Sequence, residues 1–203
     1  FYNHPTSDDY PFANIASEYG YWGAHMYWYK SATGCFLPTL QMSMNPLVID
    51  WFWGYKILPL IFFLIFISSI YFLTHTLTGT SLSYLQKWTL VFSVVYIYLY
   101  YAPRISHGFY WLTGLTTYQT PTILTLIFLA VLFKIKTKSE KNHWLTAFAI
   151  LLTLCMLNGC ETYYILTIGL LSLITFIILV VYKRIDKLLV SLLIVAALGS
   201  ISV

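Results

Sequence analysis

Two adjacent carboxylates, Asp8 and Asp9, stand just before Tyr10-Pro11 in the run HPTSDDYPF at 4 to 12. Beside a membrane surface, such a pair can bind a cation, take a proton from a sugar hydroxyl or cap a helix. Neighbouring residues rarely point the same way, so the pair suits a division of labour in which one carboxylate acts and the other supports it. In PRISHGFYWLTGLTTYQTP, Arg104 presents a planar fork that can grip a phosphate, and His107 can donate a hydrogen bond or a proton. Glu161, in the turn NGCET, can reach a ligand or acceptor. Each group also has a plain structural role. The aspartates can cap a helix with proline in its first turn, Arg104 can snorkel to lipid headgroups, and Glu161 can complement a helix N-terminus.

No resident metal or other cofactor is expected. His4, His25, His75 and His143 have no metal-ligand spacing, although His4 with Asp8 and Asp9 could make a loose divalent-cation site. Cys35, Cys155 and Cys160 are odd in number and form no CxxC pair, which predicts neither a disulfide framework nor a zinc site.

The elements that must position these groups follow from composition. At 203 residues, 59% hydrophobic, 19% aromatic and 9% charged, the chain cannot hide its apolar groups in a soluble core. It reads as an all-α, polytopic transmembrane helical bundle forming a single transmembrane domain over 1–203. Its net charge of +4 sits in short loops, where it reports topology and not a nucleic-acid partner. The chain opens on Phe1 and stops inside an apolar run at Val203, so it is expected to be a fragment of a longer protein with at least one earlier span.

A helix needs about 20 apolar residues to cross the hydrocarbon. Apolar runs recur near 57–74, 84–102, 120–135, 144–157, 163–182 and 188 onward, which predicts about six spans within 57–203. The stretch 144–182 would be roughly 58 Å as one helix, about twice the bilayer core, so it must turn at NGCET. Lys134, Lys136, Lys138 and Lys141 share one loop, Lys183, Arg184 and Lys187 another, and Lys87 lies in a third. Parity places all three on one side, and the positive-inside rule makes that side cytoplasmic. Asp8, Asp9, Arg104, His107 and Glu161 then share the opposite face. So do Cys35 and Cys160, which an impermeant maleimide is expected to reach from outside.

Residues 1–56 are expected to form an outer loop. Within it Phe12, Ile15, Tyr19, Trp22, Met26 and Tyr29 trace one helical stripe, which predicts an interfacial helix with a kink at Gly20 or Gly23. The segment 103–119, too polar for a simple span, predicts a re-entrant or surface-lying loop.

The motifs HPTSDDYPF at 4 to 12, FYWLTGLTTYQTP at 109 to 121 and LNGCETYYIL at 157 to 166 resemble the GT-C-type membrane glycosyltransferases, and most closely an uncharacterised bacterial family related to them. With the intervening spans they cover most of the chain. The resemblance implies a multi-pass protein of the bacterial inner membrane. Its active face would be extracytoplasmic, its donor a sugar on a polyprenyl phosphate and its acceptor a glycan or lipid. It makes Asp9 the base that takes the acceptor proton and Asp8 its partner, and it carries Arg104 and Glu161 over to substrate binding, where His107 joins them by its place beside Arg104. The chain departs from the pattern at Gly34, which is followed by Cys35 where relatives often carry an arginine, and this bears on donor phosphate binding.

Two other classes fit a polytopic membrane protein. A flippase or transporter of lipid-linked sugars would move its substrate without reacting it, but ion-coupled transporters usually place ionisable groups inside spans and show repeated halves, and neither is present. A non-catalytic scaffold of the same fold would keep the architecture and lose the chemistry. No nucleotide-binding glycine loop occurs.

Overall fold

Long runs of Leu, Ile and Phe without turn residues fold as helices, because a helix satisfies its own backbone polar groups where water is absent. The computed structural model describes residues 4–102, 104–137, 142–183 and 186–199, and the regular structure among them is helical. In chain order the helices are α1 (Asp9–Trp28), α2 (Phe36–Met42), α3 (Phe52–Thr78), α4 (Tyr84–Tyr101), α5 (Leu112–Gly114), α6 (Thr120–Thr137), α7 (His143–Leu157), α8 (Glu161–Tyr182) and α9 (Lys187–Gly199). A π segment, Leu115–Gln119, joins α5 to α6, so Leu112–Thr137 runs as one helix.

A helix stands at each of the six apolar runs, and three are long and apolar enough to cross a membrane: Phe52–Thr78, Leu112–Thr137 and Glu161–Val181. The 15 residues of α7 reach only about 22 Å against a hydrocarbon core of about 30 Å. Tyrosines and Lys87 dilute the apolar character of α4.

Three boundaries differ from the sequence expectation. First, α3 begins at Phe52, inside the segment expected to be an outer loop. Second, residues 112–119 do not lie on the surface as a re-entrant loop but join the helix, with Leu112, Leu115, Thr116 and Gln119 buried. Two of their polar groups are satisfied internally: the Thr116 hydroxyl lies 3.1 Å from the carbonyls of Leu112 and Thr113, and Gln119 Nε2 donates to Tyr98 Oη at 2.5 Å.

Third, the aromatic stripe on α1 is broken. Phe12 is buried and Ile15, Met26 and Tyr29 are half-buried, whereas Tyr19 and Trp22 are 55% and 56% exposed. Gly20 adopts φ 71°, ψ 171°, a conformation that only glycine takes readily, and the helical phase restarts after it. Phe12 and Trp28 would stand about 24 Å apart along a straight helix, yet their ring centroids are 4.4 Å apart. The helix therefore folds back at Gly20 into a short hairpin whose buried positions include the small side chains of Ala13, Ala16 and Ala24.

The long helix Leu112–Thr137 holds the bundle together. Its Ile123 packs with Phe66 and Ile70 of α3 and Val91 and Val95 of α4, while Phe128, Val131 and Leu132 pack with α7, α8 and α9. Leu60 and Leu64 of α3, Phe92 and Ile97 of α4, and Phe176 and Val180 of α8 face outward. An apolar exterior of this extent suits lipid and not water.

Contacts sort the loops to two ends. The Leu37 amide donates to the Asn158 carbonyl at 2.9 Å and the Tyr163 hydroxyl to the Tyr118 carbonyl at 2.7 Å, which gathers α2 and the starts of α6 and α8 at one end. Lys136 and Asp186 form an ion pair at the other end. The α3–α4 turn joins them there, because α3 and the Leu112–Thr137 helix pack side by side and start together. Lys138, Lys141 and Arg184 lie outside the described residues, as does Val203.

Within α3, Pro59 lacks the N–H that would donate to the carbonyl of Tyr55 four residues earlier. At the far end of the helix Lys87, only 6% exposed, donates to the Gly79 carbonyl at 2.6 Å and meets His75 Nδ1 at 3.2 Å. Replacing Lys87 by Met should strand that carbonyl and cost about 1.5–3 kcal/mol, the range of a hydrogen bond to a charged group. Thermal unfolding of the detergent-solubilised protein checks this, and a wild-type Tm would count against the bond.

Candidate functional site

Asp8 occupies the position just before α1 and Asp9 is its first residue. The Asp8 side chain makes no capping hydrogen bond to α1; it is exposed and accepts from the Ser7 hydroxyl at 3.1 Å. Asp9 is 1% exposed. Its Oδ2 accepts from the Tyr55 hydroxyl at 2.6 Å and from the Thr6 amide at 3.0 Å, while its backbone carbonyl accepts from Asn45 Nδ2 at 2.9 Å. Asn45 is buried as well, and its Oδ1 accepts from the Leu47 amide at 3.0 Å, capping the 3₁₀ turn Pro46–Ile49. Asp9 thus joins the start of α1, the turn after α2 and the first turn of α3 through its carboxylate and its backbone carbonyl together.

A fourth segment closes the cluster. The Tyr55 hydroxyl lies 3.4 Å from the Tyr110 carbonyl. The Thr113 amide is near enough to Asp9 to favour its charged form, yet Oδ1 is buried without a hydrogen-bond partner of good geometry. Trp111 Nε1 and the Thr113 hydroxyl are buried in the same condition. Gly114 makes the close crossing possible, since a Cβ there would fall 1.7 Å from the His107 carbonyl oxygen.

Burial is the largest influence on Asp9 and raises its pKa above the ordinary value of 3.8. Hydrogen bonds from Thr6, Tyr55 and Thr113 oppose the rise and the Asp8 charge adds to it.

The five residues singled out by sequence do not converge on one point. Asp8 and Asp9 are neighbours with opposite exposure. Arg104 and His107 are both exposed, and the His107 ring meets Trp111 edge-on at 5.8 Å between centroids, in the segment that leads to Thr113. Glu161 is exposed at the start of α8. None of these last three makes a described contact with Asp9. His4, Asp8 and Asp9 form no metal-holding cluster, and no group of three or more His, Cys, Asp or Glu among the described residues does so. His25 is fully buried against Thr39 Oγ1 at 3.1 Å and its pKa is lowered by burial, which makes it a neutral core histidine.

Tyr55, Asn45 and Lys56 are additions that no motif or periodicity pointed to, and Thr113 lay within FYWLTGLTTYQTP without being singled out. Tyr55 and Lys56 lie in WFWGYK, whose placement at the mouth of a helix was the one available signal.

Two cavities are lined by chain neighbours of Asp9 and Tyr55, though by neither residue itself. One, of about 780 Å³, lies between the α1 hairpin and the 3₁₀ turn and is lined by Tyr10, Asn14, Tyr27, Trp28, Asp50 and Phe52. The other, of about 530 Å³, is lined by Trp53, Lys56, Phe63, Leu99, Ile105 and Tyr110 and is mainly apolar. Lys56 Nζ stands 5.2 Å from the Trp53 ring centroid, at cation–π distance. Residues adjoining Asp9 and Tyr55 therefore contribute to both spaces. No protein-family model, curated protein or solved structure matches the chain.

Because the folded Asp9 carboxyl holds its proton to higher pH than the unfolded one, its contribution to stability is complete below 3.8 and is lost as pH rises through the folded value. Asp9→Asn carries no charge at any pH and escapes that loss. The Tm of Asp9→Asn relative to wild type should therefore climb as pH rises above 3.8. A difference that is flat or falls with pH would mean that burial does not dominate this carboxyl.

Proposed function

We propose that the chain belongs to a multi-pass membrane glycosyltransferase that moves a sugar from a polyprenyl-phosphate donor to a glycan or lipid acceptor at the extracytoplasmic face of the bacterial inner membrane. On this reading all six apolar helices lie in the membrane, and the end carrying Asp9 faces outward. Of the 11 basic residues, Lys30, Lys56 and Arg104 fall on that side, and the remainder fall on the cytoplasmic side. The observation that carries the reading is the Asp9–Tyr55 pair itself, a buried carboxylate with one oxygen lacking a well-aligned partner, whose chain neighbours Tyr10 and Lys56 line an aromatic cavity carrying Asn14 and Asp50 and an apolar groove, respectively.

The division of tasks follows from that arrangement. Polyprenyl phosphate leaves readily, so the protein must supply positioning, a base and positive charge. The groove with Lys56 suits a lipid tail ending in phosphate, and Arg104, next to the groove residue Ile105, adds a second cation. Tyr10, Asn14, Trp28 and Asp50 offer the aromatic faces and hydrogen-bonding groups that suit an acceptor glycan. Tyr55 holds Oδ2, which leaves Oδ1 to take the acceptor proton as the sugar–phosphate bond breaks. A raised pKa makes Asp9 a stronger base, and Asp8 supports it electrostatically. Acceptor access requires the 110–113 segment to move aside.

The burial of Asp9 favours a second reading, in which it serves only as a structural hub of a non-catalytic scaffold. Asp9→Asn separates the two. In reconstituted membranes with a polyprenyl-phosphate sugar donor and the full-length protein, the variant should insert normally and lose roughly 10² to 10⁴ in turnover. Wild-type transfer would remove Asp9 from catalysis, and loss of protein from the membrane would support the hub. Arg104→Ala should weaken donor use by about 1.5–3 kcal/mol, and unchanged donor use would return Arg104 to headgroup anchoring.

A further inference from the structure

Two segments far apart in sequence meet at the same end as the Asp9 cluster. Gly34, left-handed at φ 62°, closes the π turn Tyr29–Thr33 and delivers Cys35 to the start of α2. The turn between α7 and α8 carries Cys160 to the position just before α8. The hydrogen bond from the Leu37 amide to the Asn158 carbonyl, 2.9 Å long, holds the two turns side by side. The Cys160 thiol lies within hydrogen-bonding reach of the Cys35 thiol and of the Thr117 side chain. Cys35 is 8% exposed and Cys160 half-buried, so Cys35 is not the externally reachable thiol that sidedness alone predicts.

We propose that Cys35 and Cys160 are joined by a disulfide in the mature protein, stapling the linker after the α1 hairpin to the α7–α8 turn. The sulfurs are already neighbours, and the backbone bond beside them fixes the distance between the two turns. This rests on the outward placement of that end given above, because disulfides persist in the extracytoplasmic space and not in the reducing cytoplasm. The oxidant is a protein disulfide of the extracytoplasmic thiol-oxidase class. One cysteine attacks it to form a mixed disulfide, and the other displaces the oxidant's thiolate. Two protons and two electrons leave the pair, the S–S bond forms, and the oxidant becomes a dithiol.

Low-pKa thiols stabilise the reduced form and make a disulfide easy to reduce. Here the hydrogen bond to Cys35 and then burial push the Cys160 thiol well above its ordinary range. The ring closed between Cys35 and Cys160 takes in α2 to α7, and long rings constrain the unfolded chain most. Cys155, inside α7, is left outside the pair.

The test counts accessible thiols on the full-length protein in membranes from expressing cells, acid-quenched, denatured in SDS and alkylated with a polyethylene-glycol maleimide. Without reductant the protein should take two fewer adducts than after reduction, and peptide mapping should recover Cys35 and Cys160 in one linked fragment. Cys35→Ser and Cys160→Ser should each abolish the difference, while Cys155→Ser should preserve it. Equal adduct numbers before and after reduction would overturn the disulfide. Diamide added to opened membranes then tells why. Rapid crosslinking of Cys35 to Cys160 would show thiols correctly placed in a reducing compartment, and the outward reading would fall with the proposal. Failure to crosslink would show thiols wrongly placed, and the outward reading would survive.

Discussion

Taking a carboxylate out of water is costly unless hydrogen bonds replace the hydration it loses, and the upper end of this molecule is organised around that constraint. Asp9 is almost fully buried, and Tyr55, Thr6 and Asn45 each give a donor to its carboxylate or carbonyl. Those donors come from the N-terminal turn, the segment after α2 and the first turn of α3, none of which could bury its own polar groups against lipid. The compensation is incomplete, because Oδ1 has no partner of good geometry while Trp111 Nε1 and the Thr113 hydroxyl are also unmatched nearby in sequence. A buried polar cluster left short of its hydrogen bonds favours rearrangement or a ligand more than a fully satisfied core does.

The helical character of the chain was legible in its apolar runs, and so was the turn at Asn158-Gly159, because nothing else between Trp144 and Tyr182 could break a helix. Gly20 likewise announced its bend. Residues 112–119 were misjudged because composition counts threonine and glutamine as polar regardless of partners. Thr116 is satisfied within its own helix, but Gln119 depends on Tyr98, which only tertiary packing supplies. The stripe on α1 failed for a related reason: periodicity assumes one continuous phase, and a fold-back restarts it.

The candidate site was half visible. Asp8 and Asp9 stood out as a pair, but which of them is buried depends on Tyr55, 46 residues away, and no local pattern encodes that contact. The pairing of Cys35 with Cys160 was hidden for the same reason. Lys56 was passed over as one more basic residue near a span, and its relevance comes from the groove it edges and the Trp53 ring beneath it. Arg104, His107 and Glu161, by contrast, are exposed, and His107 meets the Trp111 ring instead of Asp9.

Pro59 gives α3 an uneven stiffness. A helix resists bending because each turn is strapped to the next by backbone hydrogen bonds, and at Tyr55 one strap is missing. The top turn, with Trp53, Tyr55 and Lys56, is therefore attached to the apolar shaft more loosely than the shaft is to itself. Bending concentrated there tilts the Tyr55 hydroxyl relative to Asp9 while leaving Phe66 and Ile70 seated in their packing. The compliance of the longest apolar helix is thus focused beneath its buried carboxylate.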